Sequence, residues 1–351
     1  MEQNFHYHVT YTAAVLAGFS PEDGQKIARA AQYVDECGVT VQSAGTLIWD
    51  NLWDTFPGNQ QIREVLKTWP VFHFLPGDYA VIRNEVDPPL RDSSRPALQL
   101  AAQLICTPES KLVREMVEAA KDAYGGEPTD ANLQRVGIAM HVLADTYAHQ
   151  GFAGIPLACV NEVREVQEMK RDGGFGSKRY QFLEYSPALF SHSFGYLGHG
   201  RIGHLVDQPG ACFAYRAAWK NPVGDDWAVR YNPLEFYCAY LQMKEAMEFI
   251  LGKRPQFSNY LDRGLMLDRR WSGWAETQRF LRALEEAGTD AGLPDRWYGV
   301  VKDVERPGRY APYSGDAEQG LIDSFQTAAQ AHRQMVLERC APLQAYLELY
   351  P

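Results

Sequence analysis

The feature that most constrains this chain is a polar repeat inside an apolar helical segment, H-V-L-A-D-T-Y-A-H at residues 141–149. Residues four apart on an α-helix differ by about 40° in rotation and about 6 Å in rise, so His141, Asp145 and His149 share one face. The apolar residues between them predict a helix that is packed on several sides. Buried imidazoles and carboxylates need partners, and a metal ion would satisfy all three. A hydrogen-bonded His–Asp–His strip without metal is the alternative.

Two further segments contribute histidines that would extend such a site. His6 lies in N-F-H-Y-H at residues 4–8, where the aromatic neighbours indicate that this terminus packs against the core. His73 lies in the apolar segment W-P-V-F-H-F-L-P at residues 69–76, which prolines interrupt. Both are candidate metal ligands, and a buried or terminal histidine without metal is the alternative for each.

A glycine-rich segment, G-H-G-R-I-G-H-L-V-D at residues 198–207, carries three more candidate ligands. Glycines beside His199 and His204 let the backbone turn sharply and approach an ion closely. His204 and Asp207 are three residues apart, which suits a ligand pair if a helical turn forms there. Arg201 is a candidate to bind a substrate anion. The alternative is a glycine-rich loop with incidental histidines.

Asp35 is the remaining candidate, because it lies at the end of a predicted helix. A carboxylate at a helix C-terminus opposes the helix dipole, so Asp35 is expected to face a cation or a metal ion. A solvated acid at a frayed helix end is the alternative. The neighbouring Glu36 is expected to point elsewhere, towards the surface.

Helix signals dominate the rest of the chain. Ser20-Pro21-Glu22-Asp23 combines an N-cap serine, a proline at the first helical position and an acidic capping residue, and it predicts a helix to about Cys37. Strand-like alternation is scarce, with Tyr79–Arg83 as the best candidate. The other predicted helices cover about Thr107–Tyr124, Thr129–His149, Asn232–Gly252, Ser272–Ala287 and Ala317–Tyr350, the last with a kink at Pro342.

These signals predict an all-α fold in a single multi-helix domain with long loops, spanning residues 1–351. Residues 1–210 carry the metal-ligand motifs, and residues 211–351 form a helical remainder that is a candidate cover for the cleft. Within it, the tyrosine- and proline-rich segment Trp297–Tyr313 is the specific candidate.

Composition and charge narrow the class of protein further. The net charge of −10 disfavours sequence-independent binding to nucleic acid, which requires a basic face. The longest apolar stretches are shorter than the roughly 20 residues of a membrane span, and the first residues lack a signal-peptide pattern. We therefore expect a cytoplasmic protein without a membrane span. Six scattered cysteines, none in a C-x-x-C pair, argue against a disulfide framework and a thiolate zinc site.

The motifs together resemble the zinc-dependent phospholipase C / S1–P1 nuclease superfamily. More closely, the chain resembles an uncharacterised bacterial family with the same short motifs, and this resemblance is clear over residues 1–210. Its motifs are matched here by Asn4–Tyr7, Val34–Glu36, Phe72–Pro76, His141–Phe152 and Gly198–Pro209.

The resemblance implies an all-helical fold with up to three zinc ions in a cleft. His6 would bind the third ion, and Asp35, His73 and His141 the first. Asp145 would bridge two ions. His149 would hold the second ion together with one or more of His199, His204 and Asp207. The N-terminal tryptophan of those enzymes is absent here, and Gly203 replaces a ligand expected four residues after His199, so a two-metal site is the alternative.

The resemblance and the ligand types lead to one expected function. Imidazole and carboxylate ligands suit zinc above all, with iron as the alternative. We expect a phosphoester hydrolase that acts through a metal-bridged hydroxide oriented by Asp35 or Asp145, on a small-molecule or other phosphoester substrate. The alternatives are an HD-type phosphohydrolase, an oxygen-using di-iron enzyme and a non-catalytic metal-binding protein. The sequence does not indicate the oligomeric state.

Overall fold

The structure is a computed structural model that describes residues 1–37, 63–169, 175–176, 196–223, 226–286, 293–301 and 304–349. It is mostly helical, as predicted. A π-helix covers Asn4–Val9, and 3₁₀ turns cover Gly203–Val206 and Asp316–Glu318. The α-helices are α1 (Thr10–Ala17), α2 (Pro21–Glu36), α3 (Trp69–Phe72), α4 (Tyr79–Ile82), α5 (Pro88–Arg91), α6 (Pro96–Gln103), α7 (Lys111–Tyr124), α8 (Asp130–Ala148), α9 (Ala158–Asn161), α10 (Asn232–Ile250), α11 (Arg263–Leu267), α12 (Trp274–Glu285), α13 (Leu293–Val300), α14 (Gln319–Arg339) and α15 (Ala341–Glu348).

Helix α8 is the centre of the fold. It begins at the N-cap Thr129, whose hydroxyl accepts a hydrogen bond from the Asn132 backbone N–H, which satisfies one of the free amides of the first turn. From Val136 to Ala148 every residue is buried, because α2, α7, α10 and α14 pack around this helix. The polar repeat of α8 is therefore surrounded by protein, as its apolar neighbours predict.

Helix α2 lies against α8 at a close approach that only glycine permits. A Cβ added at Gly137 of α8 would lie 2.4 Å from the carbonyl oxygen of Ile27 and 2.7 Å from Ala30 Cβ. The start of α2 is fixed by Ser20, whose hydroxyl accepts from the Asp23 backbone N–H. The close packing of α2 on α8 at Gly137 sets the position of Asp35, near the end of α2, relative to the polar face of α8.

We expect Gly137→Ala to destabilise the fold by about 2 kcal/mol. Overpacking against a backbone oxygen costs about 1–3 kcal/mol, and the better helix propensity of alanine offsets about 1 kcal/mol at most. Urea unfolding measures the change. Gly320→Ala is the matched control, since Gly320 is an exposed glycine of α14 and no described atom lies within 4 Å of a Cβ there. Equal stability of the two variants would contradict the close packing of α2 on α8.

A small antiparallel sheet lies beside the end of α8. Its strands are β1 (Val163–Met169), β2 (Phe175–Gly176), β3 (Cys212–Ala217) and β4 (Trp227–Tyr231), in the order β2-β1-β3-β4. In β3 and β4, Phe213 lies opposite Arg230. Tyr215 of β3 stacks on Phe152, with 5.4 Å between ring centroids. The chain continues from β4 directly into α10, so the sheet connects the end of α8 to the next long helix.

The sequence predicted most long helices but not the sheet. The helices predicted from Ser20, Thr129 and Asn232 are confirmed. The prediction of a strand at Tyr79–Arg83 was wrong. A helical turn forms there instead, because the Asp78 side chain accepts a hydrogen bond from the Ala80 N–H and caps it. The last predicted helix is two helices that meet at Cys340, two residues before Pro342. None of the helices in the described part of the chain is long and apolar enough to cross a membrane.

Candidate metal centre

Five parts of the fold converge on one cavity of about 470 Å³. They are the residues Met1–Gln3 before the π-helix, the end of α2, α3 with the residue after it, the end of α8 and the segment 199–207. The cavity is lined by Met1, Glu2, Gln3, Asp35, Trp69, His73, Asp145, His149, His199, His204 and Asp207. Eight of the nine predicted ligands gather into three groups of a size that fits metal ions.

The first group consists of Asp35, His73 and His141, with Asp145 beside it. His73 Nδ1 and His141 Nε2 are 3.3 Å apart and each lies 3.2 Å from Asp145 Oδ2. Each also lies 3.8 Å from Asp35 Oδ1. A tetrahedral site with bonds of about 2.1 Å separates its ligand atoms by about 3.4 Å. The four atoms therefore have the spacing of a tetrahedral metal site.

The second group consists of His149, His199 and Asp207. His149 Nδ1 lies 2.5 Å from the His73 carbonyl oxygen, and His199 Nδ1 lies 3.0 Å from that of Gly203. Because a carbonyl oxygen can only accept, both Nδ1 atoms carry the proton, and in the neutral ring Nε2 then holds a lone pair. Both Nε2 atoms face Asp207, at 3.1 and 3.4 Å from its carboxylate oxygens.

When both rings are neutral, the two Nε2 lone pairs and the Asp207 carboxylate face one another as three acceptors. Burial lowers the pKa of His199 to about 4 despite the nearby Asp207 carboxylate, so its ring is neutral at pH 7. Two lone pairs that face a carboxylate repel it unless a cation lies between them. Histidines that bind metals almost always donate their other N–H to a carbonyl or carboxylate, as both rings do here.

The third group consists of His6, His141 and Asp145. His6 Nε2 lies 3.2 Å from Asp145 Oδ1, without the angle of a hydrogen bond, and its ring stacks on His141 at 3.9 Å between centroids. Both ring nitrogens of His6 are buried and lack a hydrogen-bond partner among the described residues. Burial lowers the pKa of His6 to about 4. Buried polar atoms are rarely left unpaired, and a metal ion bound at this group would give His6 a partner.

Asp145 joins the first and third groups through its two carboxylate oxygens. Its Oδ2 faces the first group, and its Oδ1 faces His6 and the Met1 ammonium at 2.7 Å. The same ammonium lies 3.3 Å from Asp207 Oδ1. Burial alone would raise the pKa of Asp145, but the ammonium and the surrounding histidines hold it well below its usual value. Asp145 is therefore a buried carboxylate between the Met1 ammonium and candidate metal-ligating histidines.

Two predicted residues lie away from the three groups. His204 is at the rim of the cavity, with 77% of its side chain exposed and Nδ1 3.7 Å from Asp207 Oδ2. Arg201 donates to Glu162 at 3.1 Å and lies over the ring of Tyr196, and it does not line the cavity. The described residues of Trp297–Tyr313, the candidate cover, are also absent from the cavity lining. Glu36 points away, as expected, and accepts from Tyr310.

The sequence did not indicate the residues that complete the cavity wall. Met1, Glu2 and Gln3 lie at one side, and Trp69 lies beside His73. The only signal for the first three was the aromatic N-F-H-Y segment, which indicated a packed terminus without showing what it faces. No lysine or arginine among the described residues lines the cavity, although four carboxylates do. The Met1 ammonium balances part of this negative charge, and bound metal ions could balance the rest.

The fold and the site together define a mostly helical protein whose buried histidine and aspartate groups can hold metal ions. The chain belongs to a family of unknown function, DUF6765, whose model matches residues 1–340. Neither the search of curated proteins nor the search of solved structures found a match.

Proposed function

We propose that this protein is a metal-dependent hydrolase that cleaves a phosphoester, with two or three zinc ions held by the three groups. The observation that carries the proposal is Asp145, whose two oxygens face separate histidine groups. A carboxylate placed in this way is suited to bridging two ions. Zinc is proposed because neutral imidazoles and carboxylates suit borderline divalent ions, whereas magnesium and calcium prefer oxygen ligands alone.

The proposal also assigns the fold to the phospholipase C / P1 nuclease type. Two features support the assignment: a central helix presents the H-x-x-x-D motif, and the N-terminal segment reaches the same site. The four-stranded sheet beside α8 is an addition to an otherwise helical arrangement.

The chemistry that paired zinc ions supply is a lowered pKa of bound water and neutralisation of charge on a phosphate. The chain supplies the remaining functions. Asp35 has 31% of its side chain exposed, whereas Asp145 and Asp207 are buried. Asp35 is therefore the carboxylate that can reach both the ligand groups and a molecule in the cavity. Its role would be to orient a water molecule and accept its proton.

The cavity wall also constrains how a substrate is recognised. Because the described wall carries no lysine or arginine, the phosphate of a substrate would be neutralised at the metal groups and not by side chains. Arg201, the predicted anion-binding residue, is engaged with Glu162 and is therefore not assigned that role. An open cavity next to the ligands argues against a purely structural metal site, in which protein ligands close every position.

Hydrolysis of a generic phosphodiester, bis(p-nitrophenyl) phosphate, by the zinc-loaded protein tests the proposal. Asp35→Asn is expected to lower kcat by about 100-fold or more, the usual effect of losing a general base. Glu36→Gln is the matched control, since this neighbouring acid faces Gln32 and Tyr310 and its loss should leave hydrolysis unchanged. Hydrolysis that survives Asp35→Asn or chelation would overturn the proposal. Bound iron with oxygen consumption would favour the di-iron alternative.

A further inference from the structure

The second ligand group depends on two segments that are far apart in sequence. His149 directly follows α8, whereas Asp207 lies in the loop after the Gly203–Val206 turn. Their ligand atoms are nevertheless 3.1 Å apart. A metal site tolerates small errors in ligand position only, so some part of the protein must hold the helix end and the loop together. Arg230 at the end of β4 and Asn232 at the start of α10 are in the right place.

Arg230 holds the helix end. Its Nη2 donates to the Tyr147 carbonyl oxygen at 2.9 Å, and its Nη1 donates to that of Gln150 at 3.3 Å. The Tyr147 carbonyl belongs to the last turn of α8 and the Gln150 carbonyl comes just after it. Backbone oxygens at a helix end lack helical partners, and the helix dipole favours a cation there. Arg230 is buried and forms no ion pair within 4 Å among the described residues. A buried cation with neutral acceptors is costly, which argues for a role beyond stability.

Asn232 holds the loop. It is fully buried, and its Nδ2 group lies 2.8 Å from the Gln208 carbonyl oxygen and 2.9 Å from that of Leu205. These two residues flank Asp207. The Asn232 backbone N–H donates to the Ala211 carbonyl oxygen at 3.0 Å, further along the same loop. The loop is thereby fixed on both sides of its metal-ligating carboxylate.

The two residues are also joined to each other. Arg230 Nη2 donates to Asn232 Oδ1 at 3.2 Å, which orients the amide so that Nδ2 faces the loop. A continuous path of hydrogen bonds therefore runs from the helix end beside His149, through Arg230 and Asn232, to the loop that carries Asp207. We propose that Arg230 and Asn232 are positioning residues that set the spacing of the second ligand group and hence its metal affinity. This inference rests on the proposed metal centre.

The test is a zinc titration of chelator-treated protein in competition with a chromophoric chelator. Asn232→Ala is expected to weaken binding at the second group by about 10- to 100-fold, the usual effect of losing a residue that orients a ligand. Binding at the first group should not change. Asn259→Ala is the matched control, because Asn259 is also a buried asparagine that donates to a carbonyl, that of Ser110, outside the site.

Combination with His199→Ala separates this role from a general loss of stability. His199→Ala removes the second group, so adding Asn232→Ala to it should leave the remaining zinc affinity unchanged. Arg230→Lys keeps the charge but loses the fork that reaches both carbonyls, and it should give an intermediate loss, which keeps the inference testable if Asn232→Ala fails to fold. If wild type binds zinc and both Asn232→Ala and Arg230→Lys bind it with the same affinity, this inference is overturned and the proposed function is not. An absence of binding in wild type would overturn the proposed function as well.

Discussion

Asp145→Asn is expected to remove the first and third metal groups and to leave the second. The substitution keeps the shape of the side chain but replaces a charged oxygen with an amide. Asp145 Oδ2 lies 3.2 Å from both His73 and His141, and Oδ1 lies 3.2 Å from His6. Asp207, and not Asp145, supplies the carboxylate of the second group. Metal content by elemental analysis should therefore fall to about one ion per chain.

The loss of activity should exceed the loss of metal, because the proposed chemistry needs two adjacent ions. We expect hydrolysis of the phosphodiester to fall by about 1,000-fold or more, since removing an ion removes both charge neutralisation and the lowered pKa of water. Asp226→Asn is the matched control: Asp226 is also a buried acid but lies 3.4 Å from Arg216, outside the site. If Asp145→Asn binds as many metal ions as wild type and with the same affinity, Asp145 does not have a bridging role.

The shared face of the candidate ligands on α8 could be predicted from the sequence because their geometry is local. A spacing of four residues places side chains on one face of any α-helix, whatever surrounds the helix. A partner for Asp35 could also be predicted from one helix, because the helix dipole disfavours a carboxylate at the C-terminal end of α2. In the structure Asp35 faces His73, His141 and His6. In each case the signal depends on one helix and not on the packing of the whole fold.

The sequence of the segment 198–207 did not indicate which of its candidate ligands would face the cavity together. His199, His204 and Asp207 had equal standing in the sequence, yet the structure places His204 at the rim and the other two in one ligand group. The backbone around Asp207 is held by the Asn232 side chain, which donates to the Leu205 and Gln208 carbonyls and lies 25 residues after Asp207. A non-local contact of this kind leaves no periodic signal in the loop itself.

The sheet was missed for a related reason. Strands β1 and β3 pair across more than 40 residues, for example Val166 with Tyr215. The strands are short, and β3 reads C-F-A-Y-R-A with four of its six residues buried, so it lacks a clear alternation of polar and apolar residues. The sheet is stabilised by packing on the end of α8, where Trp219 donates to the Gly151 carbonyl oxygen at 2.7 Å.

Removal of metal is expected to lower the thermal stability of the whole protein. A ligand that binds only the folded state stabilises it by about 4 kcal/mol when its free concentration is 1,000 times Kd. For a chain of 351 residues this corresponds to a rise in Tm of about 5 °C per site. Calorimetry of chelator-treated protein with and without added zinc should therefore show a shift of about 10 °C if two sites are filled.

The response to different cations tests the nature of the ligands as well as their presence. Zinc should restore the full Tm and magnesium little of it, because the groups combine imidazoles with carboxylates and magnesium prefers oxygen ligands alone. The double variant His141→Gln/His199→Gln, which removes a ligand from each of the three groups, should show almost no shift with zinc. An equal shift in this variant would mean that zinc stabilises the protein elsewhere. Among the described residues, no lysine or arginine lies within 4 Å of Asp145 or Asp207, and the Met1 ammonium is shared between them. A bound cation would add positive charge there, so the filled site should be the more stable form.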